Sequence, residues 1–171
     1  MIDPNPRVSG MGLKELRKAG IKTEKGLLES EAIKLNESFI KYIRTKTPFV
    51  VLKIAQSLDG KIATSKGESK WITGEVSRRR VHQLRNDLDA VLVGSGTVLK
   101  DNPSLDCRIR GGTNPYRVIV DSSLRIPMKA KVFQYDDGKT IIATTSKAPK
   151  KRIDAIQKLG HRVFESRQFS F

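Results

Sequence analysis

Small and polar residues stand directly after apolar runs at several places in the chain, and these are the groups whose types and spacing suit ligand chemistry. Ala55 to Asp59 follow the run Phe49 to Ile54. Gly94, Ser95, Gly96 and Thr97 follow Ala90 to Val93, and Asp121 and Ser122 follow Arg117 to Val120. Small residues let a backbone come close to a phosphate, and free N–H groups there can hold it. Gly94-x-Gly96 lacks the third glycine of a dinucleotide fingerprint, Leu99 standing in its place. It reads either as a phosphate cradle or as an ordinary strand-to-helix turn. Arg108 and Arg110 bracket Ile109 as an anion clamp or a solvated loop, and the chain's one tryptophan, Trp71, sits in an otherwise polar stretch. His82, His161 and Cys107 share no metal-ligand spacing, and His82 reads as a surface or packing residue. There is no Gly-x-Ser-x-Gly elbow for a serine nucleophile.

Composition bounds the partners. Lys and Arg number 33 against 18 Asp and Glu, a net charge of +15, which favours polyanions or phosphate-bearing small molecules. Aromatic residues make up 6% and are not interleaved with the basic ones, unlike a single-strand-binding platform. A basic nucleic-acid binder therefore rests on charge alone. No run approaches the roughly 20 apolar residues of a membrane span. The single Cys107 permits no internal disulfide, and no leader block is visible, so a cytoplasmic location is expected.

The elements that must carry these residues follow from periodicity. Phe49 to Ile54 reads as a strand buried on both faces, with a second short run over Lys61 to Thr64. A helix is expected from about Gly74 to Asp87, capped by Thr73, with Val81, Leu84 and Leu88 inward. Further strands are expected at Ala90 to Val93, Arg117 to Val120, Thr140 to Thr144 and from His161, with a helix from Pro149 to Leu159. Strands alternating with helices make an α/β fold with a mainly parallel sheet, whose ligands bind beyond the carboxyl ends of the strands. In the first 48 residues, short helices are expected over Leu13 to Ala19 and from Ser30 to Ile43, with a short strand at Ile21 to Lys25.

Taken together and in order, SLDGKIAT, GESKWITG, the arginine of HQLRND, VGSGTVLKDNPSLDCR and VIVDSS resemble the reductase domain of the bifunctional riboflavin-biosynthesis deaminase/reductase family. The resemblance covers residues 49 to about 160. It implies a dihydrofolate-reductase-like fold and NADPH-dependent reduction of the ribosyl group of 5-amino-6-(5-phosphoribosylamino)uracil to the ribitylamino product. It also implies that NADP lies against Ala55, Trp71, Thr97, Asp101 and Ser122, and the phosphoribosyl pyrimidine against Ser69, Arg85, Leu105 and Arg108. Neither a nucleophile nor a metal is expected in such a site, since hydride transfer is the cofactor's chemistry.

DPNPRVSGMG, LRKAGI and LNESFIKYI resemble the tail of the family's deaminase domain, so residues 1–48 are expected to be that tail plus a linker, and 49–171 the reductase domain. The zinc motifs of the deaminase are absent from this stretch, and no zinc and no deaminase activity are expected. At the other end the chain runs into FESRQFSF where the family continues to a glycine-rich stretch. That departure predicts a truncated domain with an incomplete sheet and an exposed edge. The alternative expectation is an inactive remnant, or a nucleotide-binding module needing a partner chain. Neither nucleic acid nor membrane is an expected partner, and a homo-oligomer is left open.

Overall fold

The computed structural model describes residues 1–167; the last four residues of FESRQFSF lie outside the described residues. Two compact units divide the chain, Met1–Ala55 and Gln56–Phe171.

In the first unit, helices α1 (Met11–Lys18), α2 (Glu29–Leu35) and α3 (Glu37–Thr45) are short and bury no residue fully. The expected single helix after Ser30 is split at Asn36, whose side-chain amide donates to the Ala32 carbonyl at 2.8 Å. Asparagine offers the backbone such local bonds in competition with a continuing helix. Ile21 to Lys25 forms no strand. Nor does Phe49 to Ile54: Val50, Leu52 and Ile54 are 79%, 81% and 57% exposed, and the segment joins no ladder among the described residues. A strand needs a neighbour to take its N–H and C=O groups, and apolar character alone did not supply one.

The second unit holds α4 (Glu75–Asp87), β1 (Ala90–Gly94), α5 (Ser95–Asp101), β2 (Tyr116–Val120), a 3-10 turn at Lys131–Phe133, β3 (Thr140–Thr145), α6 (Lys150–Lys158) and β4 (Arg162–Ser166). The four strands lie in the order β1-β2-β3-β4, every pair parallel, with Ile119 of β2 beside Ile142 of β3. Parallel neighbours demand crossovers, which α5 with its following loop, the 121–139 segment and α6 provide. Thr73 does not cap α4; the cap position is Gly74, in extended geometry, with no side-chain bond. Lys61 to Thr64 forms no strand but links two turns, Ser57 N–H bonding the Lys61 carbonyl and Thr64 N–H the Glu68 carbonyl, both at 2.9 Å.

Ile119, Ile142 and Val132 have no exposed surface, and Val98 of α5, Leu124, Ile126 and Ile153 with Ile156 of α6 close over them. Truncating Ile142 to alanine is expected to cost about 2–5 kcal/mol, read as a lower urea midpoint at unchanged slope. The two outer strands are less covered, Leu92 of β1 being 65% and Phe164 of β4 61% exposed. No described helix is long and apolar enough to cross a membrane.

Candidate functional site

The carboxyl ends of β1 and β2 lie side by side, Gly94 registered with Val120. Ser95 and Thr97 therefore leave β1 next to Asp121 and Ser122 leaving β2. Asp121 is buried and anchors its loop: Oδ2 accepts the Ile126 N–H at 3.0 Å, while Oδ1 has no hydrogen-bond partner among the described residues and lies 4.0 Å from Arg125 Nε. The Ser122 carbonyl is held by the hydroxyls of Thr144 (3.1 Å) and Thr145 (2.8 Å), which leaves its exposed side chain on a fixed backbone.

Arg125 was not among the residues singled out from the sequence. Its guanidinium is exposed and spans the two strand ends, Nη2 donating to Ser95 Oγ at 3.1 Å with Nε near Asp121. The signal for it was a basic residue four positions after a strand-ending aspartate, a spacing with no meaning until the loop is seen to fold back. Thr97 is exposed in the first turn of α5, and Asp101 is half-buried in its last.

The loop before α4 carries Ser69 and Trp71. It lies against α5, since Lys100 Nζ is 3.1 Å from the point where a side chain on Gly67 would begin. Trp71 is 73% exposed, and Arg78 stacks over its ring with the guanidinium carbon 4.3 Å from the centroid. Arg78 is itself fixed by donating to the Thr73 carbonyl at 2.7 Å, so the indole has a cation on one face. Ala55 is half-buried and ends the first unit.

A second group of candidates gathers around the 105–114 loop. Arg85 Nη1 donates to the Asp106 carbonyl at 3.1 Å, and Arg85 Nε is buried without a partner among the described residues. Arg108 Nε donates to both Asp106 carboxylate oxygens, at 3.3 and 3.2 Å. Burial pushes the Asp106 carboxyl up, but the Arg108 hydrogen bond, its own backbone N–H and the Arg108 and Arg85 charges outweigh it and hold the group below its ordinary value. The carboxylate thus stays ionised and orients a guanidinium. Leu105 adopts positive φ (56°) and is only 4% exposed, so its side chain serves the core and its backbone alone is available to a ligand.

Surface depressions among the described residues include the following two. One, of about 460 Å³, is lined by Gly10, Leu13 and Arg17 in the first unit. The other, of about 480 Å³, is lined by Ser57, Ala63, Thr64, Glu68 and Ile72. Ser57 in the second belongs to the Ala55 to Asp59 group noted above, and none of the residues proposed to contact cofactor or substrate lines either. No group of three or more His, Cys, Asp or Glu is arranged to hold a metal among the described residues.

A parallel α/β domain offers the crevice beyond the carboxyl ends of its strands as a ligand site, and here that edge carries exposed cations and hydroxyls. The RibD C-terminal domain family matches residues 48–169, and the chain belongs to that family. Riboflavin biosynthesis protein RibD of Actinobacillus pleuropneumoniae is 43% identical over 96% of this chain and 50% of its own length. That of Aquifex aeolicus is 45% identical over 92% and 46%. Among solved structures, Acinetobacter baumannii RibD superposes with a TM-score of 0.82 at 37% identity, covering 98% of this chain and 47% of the other. The Thermotoga maritima diaminohydroxyphosphoribosylaminopyrimidine deaminase/5-amino-6-(5-phosphoribosylamino)uracil reductase does so at 0.74 and 40%, covering 96% and 51%. The chain spans about half the length of the curated relatives it matches. The expected fold class, a parallel sheet flanked by helices of dihydrofolate-reductase-like kind, is the one found.

Proposed function

We propose that this chain carries out the reductase step of riboflavin biosynthesis, the NADPH-dependent reduction of the ribosyl group of 5-amino-6-(5-phosphoribosylamino)uracil to the ribitylamino product. One observation carries the reading: in a member of this family, a fixed strand-end platform of Ser95, Ser122 and Arg125 and a separate arginine pair, Arg85 and Arg108, offer two anion sites on one small domain. Two sites suit two phosphorylated ligands. The assignment of residues 49–171 to the reductase and 1–48 to a deaminase tail and linker belongs to the same reading, supported by the family match from residue 48. So do a cytoplasmic setting and small anionic ligands, rather than nucleic acid, as the use of the +15 charge.

The residues fit NADPH. Arg125 projects an exposed guanidinium that is only partly engaged by Ser95 and Asp121, and Ser122 and Thr97 add hydroxyls beside it. A forked cation next to small hydroxyl residues at a strand end is a donor set for the 2′-phosphate that separates NADPH from NADH. Trp71 and Asp101 complete the cofactor contacts of this unit in this reading. When bound, the cofactor supplies the hydride. The chain's part is to align it: Arg85 and Arg108 grip the substrate phosphate, Ser69 and the Leu105 backbone flank the substrate, and Trp71 bears on a ring.

This reading makes a direct expectation. NADPH should quench the fluorescence of Trp71, the chain's one tryptophan, saturably. Replacing Arg125 by Gln should weaken NADPH about 10- to 100-fold while NADH, weak already, changes little, because charged hydrogen bonds contribute about 1.5–3 kcal/mol. Equal weakening of the two cofactors would deny Arg125 the 2′-phosphate.

A further inference from the structure

We infer that His82 is a positioning residue: its Nδ1 accepts the Arg108 N–H at 3.3 Å and so sets the loop that presents Arg108 to the substrate phosphate. The inference rests on the proposed reading of Arg108 and goes beyond it, since it gives a task to a histidine that the sequence alone reads as a surface or packing residue.

His82, Arg85 and Asn86 stand at i, i+3 and i+4 on one face of α4. All three hold the loop after Leu105. Besides the His82–Arg108 bond, the His82 carbonyl accepts from the Cys107 thiol at 3.7 Å, Arg85 Nη1 donates to the Asp106 carbonyl at 3.1 Å, and Asn86 Oδ1 accepts the Thr113 N–H at 3.0 Å. The clasp is close. A side chain on Gly112 would begin 2.8 Å from Cys107 Sγ and 2.9 Å from Asn86 Oδ1. Asp106 then aims the Arg108 side chain through Nε, and the terminal nitrogens Nη1 and Nη2 have no bond among the described residues.

Only a neutral imidazole can accept at Nδ1, with its hydrogen on Nε2. The surroundings keep it neutral. Burial, then Arg85 from its own helix and Arg108 from the loop, hold the His82 pKa below the ordinary value, with Asp106 alone opposing. Protonation would remove the acceptor and add a third positive charge beside the two arginines. The clasp should therefore loosen as pH falls through this lowered value.

The test uses the full chain with His82→Phe, which keeps a ring and removes the acceptor, and His82→Asn, whose Oδ1 can stand in for Nδ1. His82→Phe should raise the KM for the phosphoribosyl substrate about tenfold, the worth of one oriented hydrogen bond. Its kcat, KM for NADPH and melting temperature should stay near those of the parent chain. His82→Asn should return the substrate KM to within about threefold and abolish the part of its acid rise that exceeds the substrate phosphate's own titration. Ribose 5-phosphate binding by calorimetry should follow the same order without turnover. A His82→Phe chain with unchanged substrate KM, or an Asn variant no better than Phe, overturns the inference. A parent chain that neither binds ribose 5-phosphate nor turns over substrate removes the reading beneath it, and the inference with it.

Discussion

Replacing Arg85 by alanine is expected to raise the KM for the phosphoribosyl substrate about 10- to 150-fold, with the KM for NADPH shifted less than about threefold. Arg85 is half-buried, its Nη1 is spent on the Asp106 carbonyl, and its Nε is buried without a partner among the described residues. Burial, with Arg108 adding to it and Asp106 opposing, pulls its pKa below the usual arginine value, though a guanidinium stays charged at any physiological pH. A partly desolvated cation with a donor to spare gains more from an arriving phosphate than a solvated one does, because part of the desolvation is already complete. Arg85→Lys should recover only part of the loss, since an ammonium cannot fork to two oxygens. Initial rates at fixed NADPH and varied substrate decide it, and an unchanged substrate KM would remove Arg85 from the site.

The largest stability effect is expected at the other end of the sheet. Arg117 has no exposed surface although it lies in β2, where its neighbours Val118, Ile119 and Val120 are apolar. Its Nη2 pairs closely with Asp137, Nε donates to Thr140 Oγ1 at 3.0 Å, and its guanidinium carbon lies 4.3 Å from the centre of the Tyr135 ring. Thr140 in turn donates to the Val132 carbonyl at 2.8 Å, so the pair is stitched to the 3-10 turn. Asp137→Ala would strand the buried cation, at a cost of about 3–5 kcal/mol. That corresponds to a melting temperature lower by about 6–20 °C. The double variant Arg117→Met with Asp137→Leu should regain most of the loss, because the desolvation cost goes with the charges.

The same pair adds an acid limb to the stability. Burial pushes the Asp137 carboxyl up. The Arg117 hydrogen bond, the Lys139 N–H bond and the charges of Arg117 and Lys139 outweigh burial and leave the pKa below its ordinary value. A carboxylate with a lowered folded-state pKa contributes stability above its unfolded value and loses it as pH falls through the lowered one. The melting temperature of the parent chain should therefore fall below about pH 4, and Asp137→Ala should lack that part of the fall.

Much of this was legible in the chain itself. The runs at 90–93, 117–120 and 140–144 became strands because their apolar residues had helices to lie under them: Val98, Ile153 and Ile156 pack on Ile119 and Ile142. The run at 49–54 was as apolar and formed no ladder, because apolar pattern reports a wish for burial and not the neighbour that grants it. Helix α5 is seven residues long, too short to show a period, and its first residues read from the sequence only as a phosphate cradle or a strand-to-helix turn. Of the candidate site, Arg85 and Arg108 were proposed from their motifs, but their contacts with the Asp106 carbonyl and carboxylate were not visible there. Arg125 and His82 meet partners 30 and 26 residues away, Ser95 and Arg108, and such pairs become visible only when the loops close.

The most direct measurement is the loss of reduced-nicotinamide absorbance when the full chain meets NADPH and 5-amino-6-(5-phosphoribosylamino)uracil. The account predicts a substrate-dependent loss that is saturable in both ligands and far slower with NADH. A chain shown to be folded by a cooperative melt, yet giving no substrate-dependent loss with either nicotinamide, would contradict it.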